Sequence, residues 1–271
     1  MTAVRARRLL LWLAGLLVLL WLTLPTLIII PVSFTDKASF LFPPKGWSLR
    51  WYRNLFEDPA WRDAALNSVL IAALSALIAV VLGTAAAVGL FRWGRLRGRE
   101  PIRAALLTPL IIPEIVLGIG IYAAFLRLGL VGTLPGFLLA HSALGMPMVV
   151  TTVLASLASF DENLERAAAS LGAGPWSTAR LVTLPLVSPG LIAGALFAFI
   201  LSFDNVVISI FLQTPALTTL PVLIWSSMTR DTDPTVAAAA SLILLFTVSV
   251  LALALWIMGR RTQRTKKGIM L

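Results

Sequence analysis

The chain has 271 residues, 59% of them hydrophobic and only 13% charged, with a mean hydropathy of +0.93 and a formal net charge of +10. So much apolar surface cannot be enclosed by one water-soluble core of this length, so a bilayer is its solvent and a soluble globular protein is excluded. Basic residues flank apolar runs instead of clustering on one soluble face, which fits membrane topology and anionic lipid headgroups and excludes a nucleic-acid partner, and the absence of cysteine excludes disulfides and thiol chemistry.

Apolar windows of about 20 residues, enough to cross roughly 30 Å of hydrocarbon, occur six times: Leu9 to Val32, Ala64 to Phe91, Ala104 to Leu126, Leu134 to Ala158, Leu186 to Leu212 and Val236 to Met258. They predict a single all-α transmembrane domain over residues 1–271. Arg5, Arg7 and Arg8 precede the first run, which exceeds a signal-peptide core and has no small-x-small cleavage site after it, so it reads as a retained span. An even number of spans puts both termini on one side. That side carries fifteen Lys and Arg against seven on the other, which predicts cytoplasmic termini.

In chain order, the first intramembrane acid is Glu114, directly after Pro113 in span 3, where a missing amide donor and a bend would open carbonyls toward a cavity. Span 4 holds the single histidine, His141, which reads as a packed polar residue; no second His or any Cys exists to share a metal, so no metal site is expected. Between spans 4 and 5 lies a cytoplasmic, polar, Ala-rich stretch over about 159–185. Ser159 and Glu162 have the spacing of a capping box, with Asp161 adding negative charge at the helix start. Leu164, Ala167, Ala168 and Leu171 recur on one face, and Gly172 and Gly174 supply left-handed conformations that end the helix after about three turns. Pro175 suits the start of a second short helix through Trp176 and Arg180 ahead of span 5. Small Ala side chains let another protein approach closely, so the stretch reads as a docking knob.

Span 5 carries a Gly190-x-x-x-Gly194 pair suited to close helix packing, then Asp204 and Asn205 toward its outer end. A carboxylate in hydrocarbon costs a few kcal/mol even on lenient scales. Asp204 and Glu114 therefore either line a solute path or bond to helix ends and hold packing. Trp225 and Phe203 add cation–π faces for a cationic solute. Asp231 and Asp233 precede span 6 and either cap it or meet an external partner.

The passage "RAAASLGAGPWSTARLVTLP" resembles the cytoplasmic signature of permease subunits of ATP-binding-cassette importers of the binding-protein-dependent type, with Ala167, Ala168, Gly172, Val182, Leu184 and Pro185 at the family's intervals. Arg166 stands where the family has Glu, and Glu165 is displaced by one position, about 100° around a helix. The passages "LTPLIIPEIVLGIGI", "SFDNVVISIFL" and "TLPVLIWSSMTRDTDPTVAAAASLIL" resemble the spermidine/putrescine permeases. The resemblance implies a type I importer permease in a bacterial inner membrane, paired with a second permease, two ATP-binding subunits and an extracytoplasmic solute-binding protein. It implies coupling through Glu165, Arg166, Ala167, Ala168, Gly172 and Ala173, and a path for a cationic amine past Asp204, Glu114, Asn205 and Trp225.

No G-x-x-x-x-G-K-[ST] phosphate loop occurs, so no catalytic residue or cofactor is expected here and the energy must come from partners. An importer of another small solute, such as an amino acid derivative, opine or aminophosphonate, keeps the same mechanism with different cargo. A secondary transporter or channel is the competing class, and would call for inverted repeats, matched broken spans or ion-coupling acids.

Overall fold

A computed structural model describes residues 2–92, 98–158, 160–230 and 233–269, and every regular element among them is helical. In hydrocarbon only a helix or a closed barrel satisfies all backbone donors and acceptors internally, and Leu-, Ala- and Val-rich runs choose the helix. The helices are α1 (Thr2–Ser33), α2 (Arg50–Glu57), α3 (Pro59–Arg92), α4 (Arg99–Ile111), α5 (Glu114–Leu128), α6 (Leu134–Leu157), α7 (Asn163–Ser170), α8 (Pro175–Thr178), α9 (Leu184–Phe203), α10 (Val207–Leu212), α11 (Leu220–Arg230) and α12 (Thr235–Ile269). Five helical runs are long and apolar enough to cross a membrane, and α4 with α5 makes a sixth, broken one.

The bend expected at Pro113 is a full break: α4 and α5 meet at 103°. Ile112, ahead of the proline, is extended (φ −72°, ψ 134°), as steric conflict with the proline ring demands, and α5 restarts at Glu114. Span 5 also departs from the expected Leu186 to Leu212. Its helical run begins at Pro175 and ends at Phe203, and α10 follows as a separate short piece.

The chain divides into two compact units, residues 1–62 with 224–246 and residues 63–223 with 247–271. In the first, the segment after α1 is tied down by side chains. Trp51 Nε1 donates to the Thr35 carbonyl at 2.8 Å, and Ser33 Oγ and Tyr52 Oη lie 2.7 Å apart. Arg50 sits 4.0 Å over the Trp51 ring. Asp233 Oδ1 accepts from the Thr235 amide and hydroxyl at 2.8 and 2.7 Å, so it caps α12. Asp231 lies outside the described residues.

The second unit is organised by the antiparallel pairing of α6 and α9. Along α6 the facing positions are His141, Gly145, Val149, Thr152 and Ser156, three or four residues apart, which keeps them on one face. Their partners run backwards along α9. His141 bonds Ser202, a Cβ on Gly145 would lie 2.9 Å from Ala198 Cβ, one on Gly194 would lie 2.9 Å from Val149 Cα, and one on Gly190 would lie 2.5 Å from the Thr152 carbonyl oxygen. The Gly190/Gly194 pair is therefore a real contact surface. Val149 also blocks Gly83 of α3, 2.9 Å from its would-be Cβ, and with Ala79, Val153 and Ala198 it forms a buried cluster. In lipid no hydrophobic drive separates helix from solvent, so close packing through small residues and side-chain hydrogen bonds supplies the association.

Gly194→Val is expected to lower the thermal midpoint of the detergent-purified protein by several degrees, since overpacking costs about 1–3 kcal/mol. Gly89→Ala, at a position with open space around it, should leave the midpoint within about a degree of the parent. Equal shifts for both variants would show that the α6–α9 approach does not limit stability.

Candidate functional site

Two polar sites lie in the second unit. The first is the α7–α8 element between α6 and α9. Its helix α7 spans two turns, not three. The expected capping box falls on Ser159, which lies outside the described residues; at the start of α7, Asp161 Oδ1 accepts from the Asn163 amide at 3.0 Å. At the other end Gly172 adopts φ +86°. The Gly172 amide donates to the Ala169 carbonyl, and the Ala173 amide to the Ala168 carbonyl, each at 3.0 Å, which closes a paired glycine stop. Gly174 is not left-handed, with φ −69° and an extended backbone ahead of Pro175; the single positive-φ residue Gly172 reverses the chain.

The second short helix does not end before span 5. From α8 the chain winds through a π-helical turn, Ala179–Thr183, directly into α9. Pro185 lacks a donor for the Leu181 carbonyl and would collide with it in a regular helix, and the wider turn just ahead relieves that conflict. The turn aims Thr183 at α7, where its Oγ1 donates to Glu165 Oε1. The same carboxylate oxygen pairs with Arg92 Nη2, at the end of α3, at 3.2 Å. Glu165, with its side chain 27% exposed, is thus tied to two other elements. Arg166, one step around the helix, is exposed and lies 3.9 Å from Glu162. Of the face expected to dock, Ala168 and Ala173 are partly covered by the element itself and Ala167 is exposed. Leu171 at 90% and Trp176 at 79% exposure present apolar surface that none of the described residues covers.

The second site is where the two helix breaks meet. Asn205 Nδ2 donates to Glu114 Oε1 across 91 positions of sequence, and Asn205 Oδ1 accepts from the Ile208 amide at 2.9 Å, capping α10. Glu114 is the first residue of α5, and Asp204 directly follows the last residue of α9. Glu114, Asp204 and Asn205 line one cavity of about 450 Å³ together with Met148 and Phe197. Trp225 belongs to the first unit, 56% exposed on α11. His141 is buried and bonded to serines on both of its nitrogens. No group of three or more His, Asp or Glu poised for a metal occurs among the described residues.

Residues 79–263 match the family described as the inner membrane component of binding-protein-dependent transport systems. The chain belongs to that family. It is 35% identical over 248 residues to the putrescine transport system permease protein PotI of Escherichia coli (strain K12), covering 89% of this chain and 88% of the relative. It is 31% identical over 234 residues to the spermidine/putrescine transport system permease protein PotC of Haemophilus influenzae, covering 86% and 90%. The fold is similar to that of a chain in a bacterial importer of the polysaccharide alginate, with a TM-score of 0.69 at 15% identity over 94% of this chain and 97% of that one.

As a binding-protein-dependent permease, the chain is a multi-pass membrane transport subunit, and the matched residues contain both sites. Sequence reasoning overlooked Arg92 and Thr183. Arg92 carried weight only as one of many topological positive charges, and Thr183 stood at an unspecified position of the signature. Their shared bond to Glu165 generates a prediction about local stability. Arg92→Ala should speed amide exchange over residues 163–170 by about threefold to fivefold, the size expected for a half-exposed ion pair worth up to about 1 kcal/mol. Unchanged exchange there would mean that the pair does not hold α7.

Proposed function

We propose that this chain is the permease of an ATP-driven importer for a small cationic amine such as putrescine or spermidine, and forms half of the translocation path with a second permease. The observation that carries the cargo is the convergence of Glu114, Asp204 and Asn205 on one cavity at two helix breaks. Two carboxylates and an amide replace the water that an ammonium group sheds, while Phe197 and Met148 face its methylene chain. The relatives named for putrescine and spermidine transport support the same choice.

The chain has no phosphate loop of its own, so two ATP-binding subunits supply the energy and a solute-binding protein delivers cargo on the other side. The α7–α8 element is the coupling site. Leu171 and Trp176 enter an apolar depression on the ATP-binding subunit, Ala167 lets the backbones approach, and Arg166 meets an acidic group there. ATP binding draws this element with its partner. The motion passes to α9 because α8, the π-helical turn and α9 are one continuous helical run, and the break at Asp204 lies at its far end. Both termini and the coupling element face the cytoplasm of the inner membrane.

The broken spans invite comparison with secondary transporters, which place breaks in matching positions of inverted repeats. Here the breaks fall in spans 3 and 5 with no internal repeat, so the ATP-driven reading is preferred.

With the partner subunits and binding protein reconstituted in lipid, putrescine or spermidine is expected to stimulate ATP hydrolysis severalfold, and Asp204→Asn to remove most of that stimulation. Stimulation only by an anionic or neutral solute would keep the permease and discard the amine path. Gly172→Val should insert normally yet transport poorly, because φ +86° costs a residue with Cβ about 1–2 kcal/mol and shifts the turn that presents Leu171; normal uptake would count against coupling through this turn.

A further inference from the structure

His141 lies on α6, 1% exposed, and has no part in the cavity wall or the coupling element. Its Nδ1 is 2.8 Å from Ser202 Oγ and its Nε2 is 3.3 Å from Ser209 Oγ. Ser202 is in the last turn of α9, two residues before Asp204, and Ser209 is in the first turn of α10. One imidazole therefore grips both sides of the break that carries Asp204 and Asn205. A neutral ring offers one donor and one acceptor, and each serine hydroxyl can supply the complement, so the bridge closes without charge and leaves no buried polar atom unpaired. Phe137, one turn away on α6, packs against the ring with centroids 5.7 Å apart.

Across the break itself the backbone supplies little. The Asn205 amide reaches the Ser202 carbonyl only at 3.5 Å, and regular helix bonds resume with the Ile210 amide to the Val206 carbonyl at 2.9 Å. The separation and angle between α9 and α10 thus depend on side chains: Asn205 from within, through its bond to the Ile208 amide, and His141 from outside. Whatever fixes that separation also fixes how far Asn205 can reach toward Glu114 and where Asp204 stands in the cavity.

We infer that His141, acting through Ser202 and Ser209, is a positioning residue for the cargo path: it sets the gap at the α9–α10 break and so the placement of Asn205, Asp204 and the Glu114 carboxylate. This role rests on the path reading above. A histidine that only fills space would stabilise the helix pair, but its loss would not depend on what stands at position 205.

The test is a mutant cycle in the complete reconstituted importer, with putrescine as the probe and uptake corrected for inserted protein. Ser202→Ala with Ser209→Ala removes only two hydroxyls, and is expected to cut uptake at least fivefold, as is His141→Leu. His141→Gln, which keeps a donor and an acceptor, should recover a large part of the loss. Combined with Asn205→Ala, the serine pair should add less than twofold to the loss that Asn205→Ala causes alone. Independent losses that multiply, or normal uptake by the serine pair, would overturn the positioning role while leaving the path intact. Normal uptake by Asn205→Ala would overturn the path reading itself, and the positioning role with it. Where His141→Leu fails to insert, the serine pair decides the matter.

Discussion

The close approach of α6 and α9 is the constraint on which the second unit depends. Gly145, Gly190 and Gly194 remove the side chains that would hold the two helices apart, and Val149, wedged between Gly83 and Gly194, fixes their register against α3. A bilayer gives no reward for bringing apolar helices together, so contact must come from dense packing and internal hydrogen bonds. The seam offers both, with packed small residues along its length and the His141–Ser202 bond at one end. Because the register is fixed, the end of α9 arrives beside α6 and α5 at a defined height, and the break after it becomes a place for chemistry instead of a packing fault.

From that seam the two sites follow as opposite ends of one rod. At one end, α8 and the π-helical turn carry Thr183 to Glu165, while Arg92 from α3 closes the same carboxylate from the other side. At the far end, the helix stops at Asp204, and Asn205 turns to bridge Glu114 at the second break. A displacement of the α7–α8 element therefore has a stiff route to the cavity, since every residue from Pro175 to Phe203 is helical. Helices that stop inside a membrane are tolerated where they line a cavity, because polar side chains and water can satisfy the freed backbone groups there.

Much of the fold was legible because hydropathy over a 20-residue window is a strong signal, and the six apolar runs correspond to five long helical runs and one broken pair. The signature around Gly172 was also legible, since its φ of +86° is the conformation that glycine spacing anticipates. What the sequence concealed was non-local. Nothing near Arg92 in the chain foretells Glu165, 73 positions on, and a proline predicts a bend without its angle. Glu165 looked like a displaced copy of a docking carboxylate, and the structure pairs it with Arg92 and Thr183 of this chain, while Arg166 is exposed beside Glu162. His141 read as a packed polar residue, which its burial agrees with, but its grip on two serines across a break needed coordinates. The continuous run from Pro175 into α9 was hidden because proline and glycine normally mark boundaries, and here a π-helical turn absorbs the proline.

The central claim, that a cationic amine passes between the two helix breaks, is tested most directly by trapping cargo in transit. A diamine bearing a photoreactive diazirine, delivered by the binding protein to the reconstituted importer during ATP hydrolysis, would be irradiated and its adducts mapped by mass spectrometry. The account predicts ATP-dependent adducts on the peptides holding Met148 and Phe197, both in the wall of the Glu114–Asp204 cavity, and their competition by excess putrescine. Adducts confined to other helices, or labelling of these peptides that is indifferent to ATP and to putrescine, would contradict it.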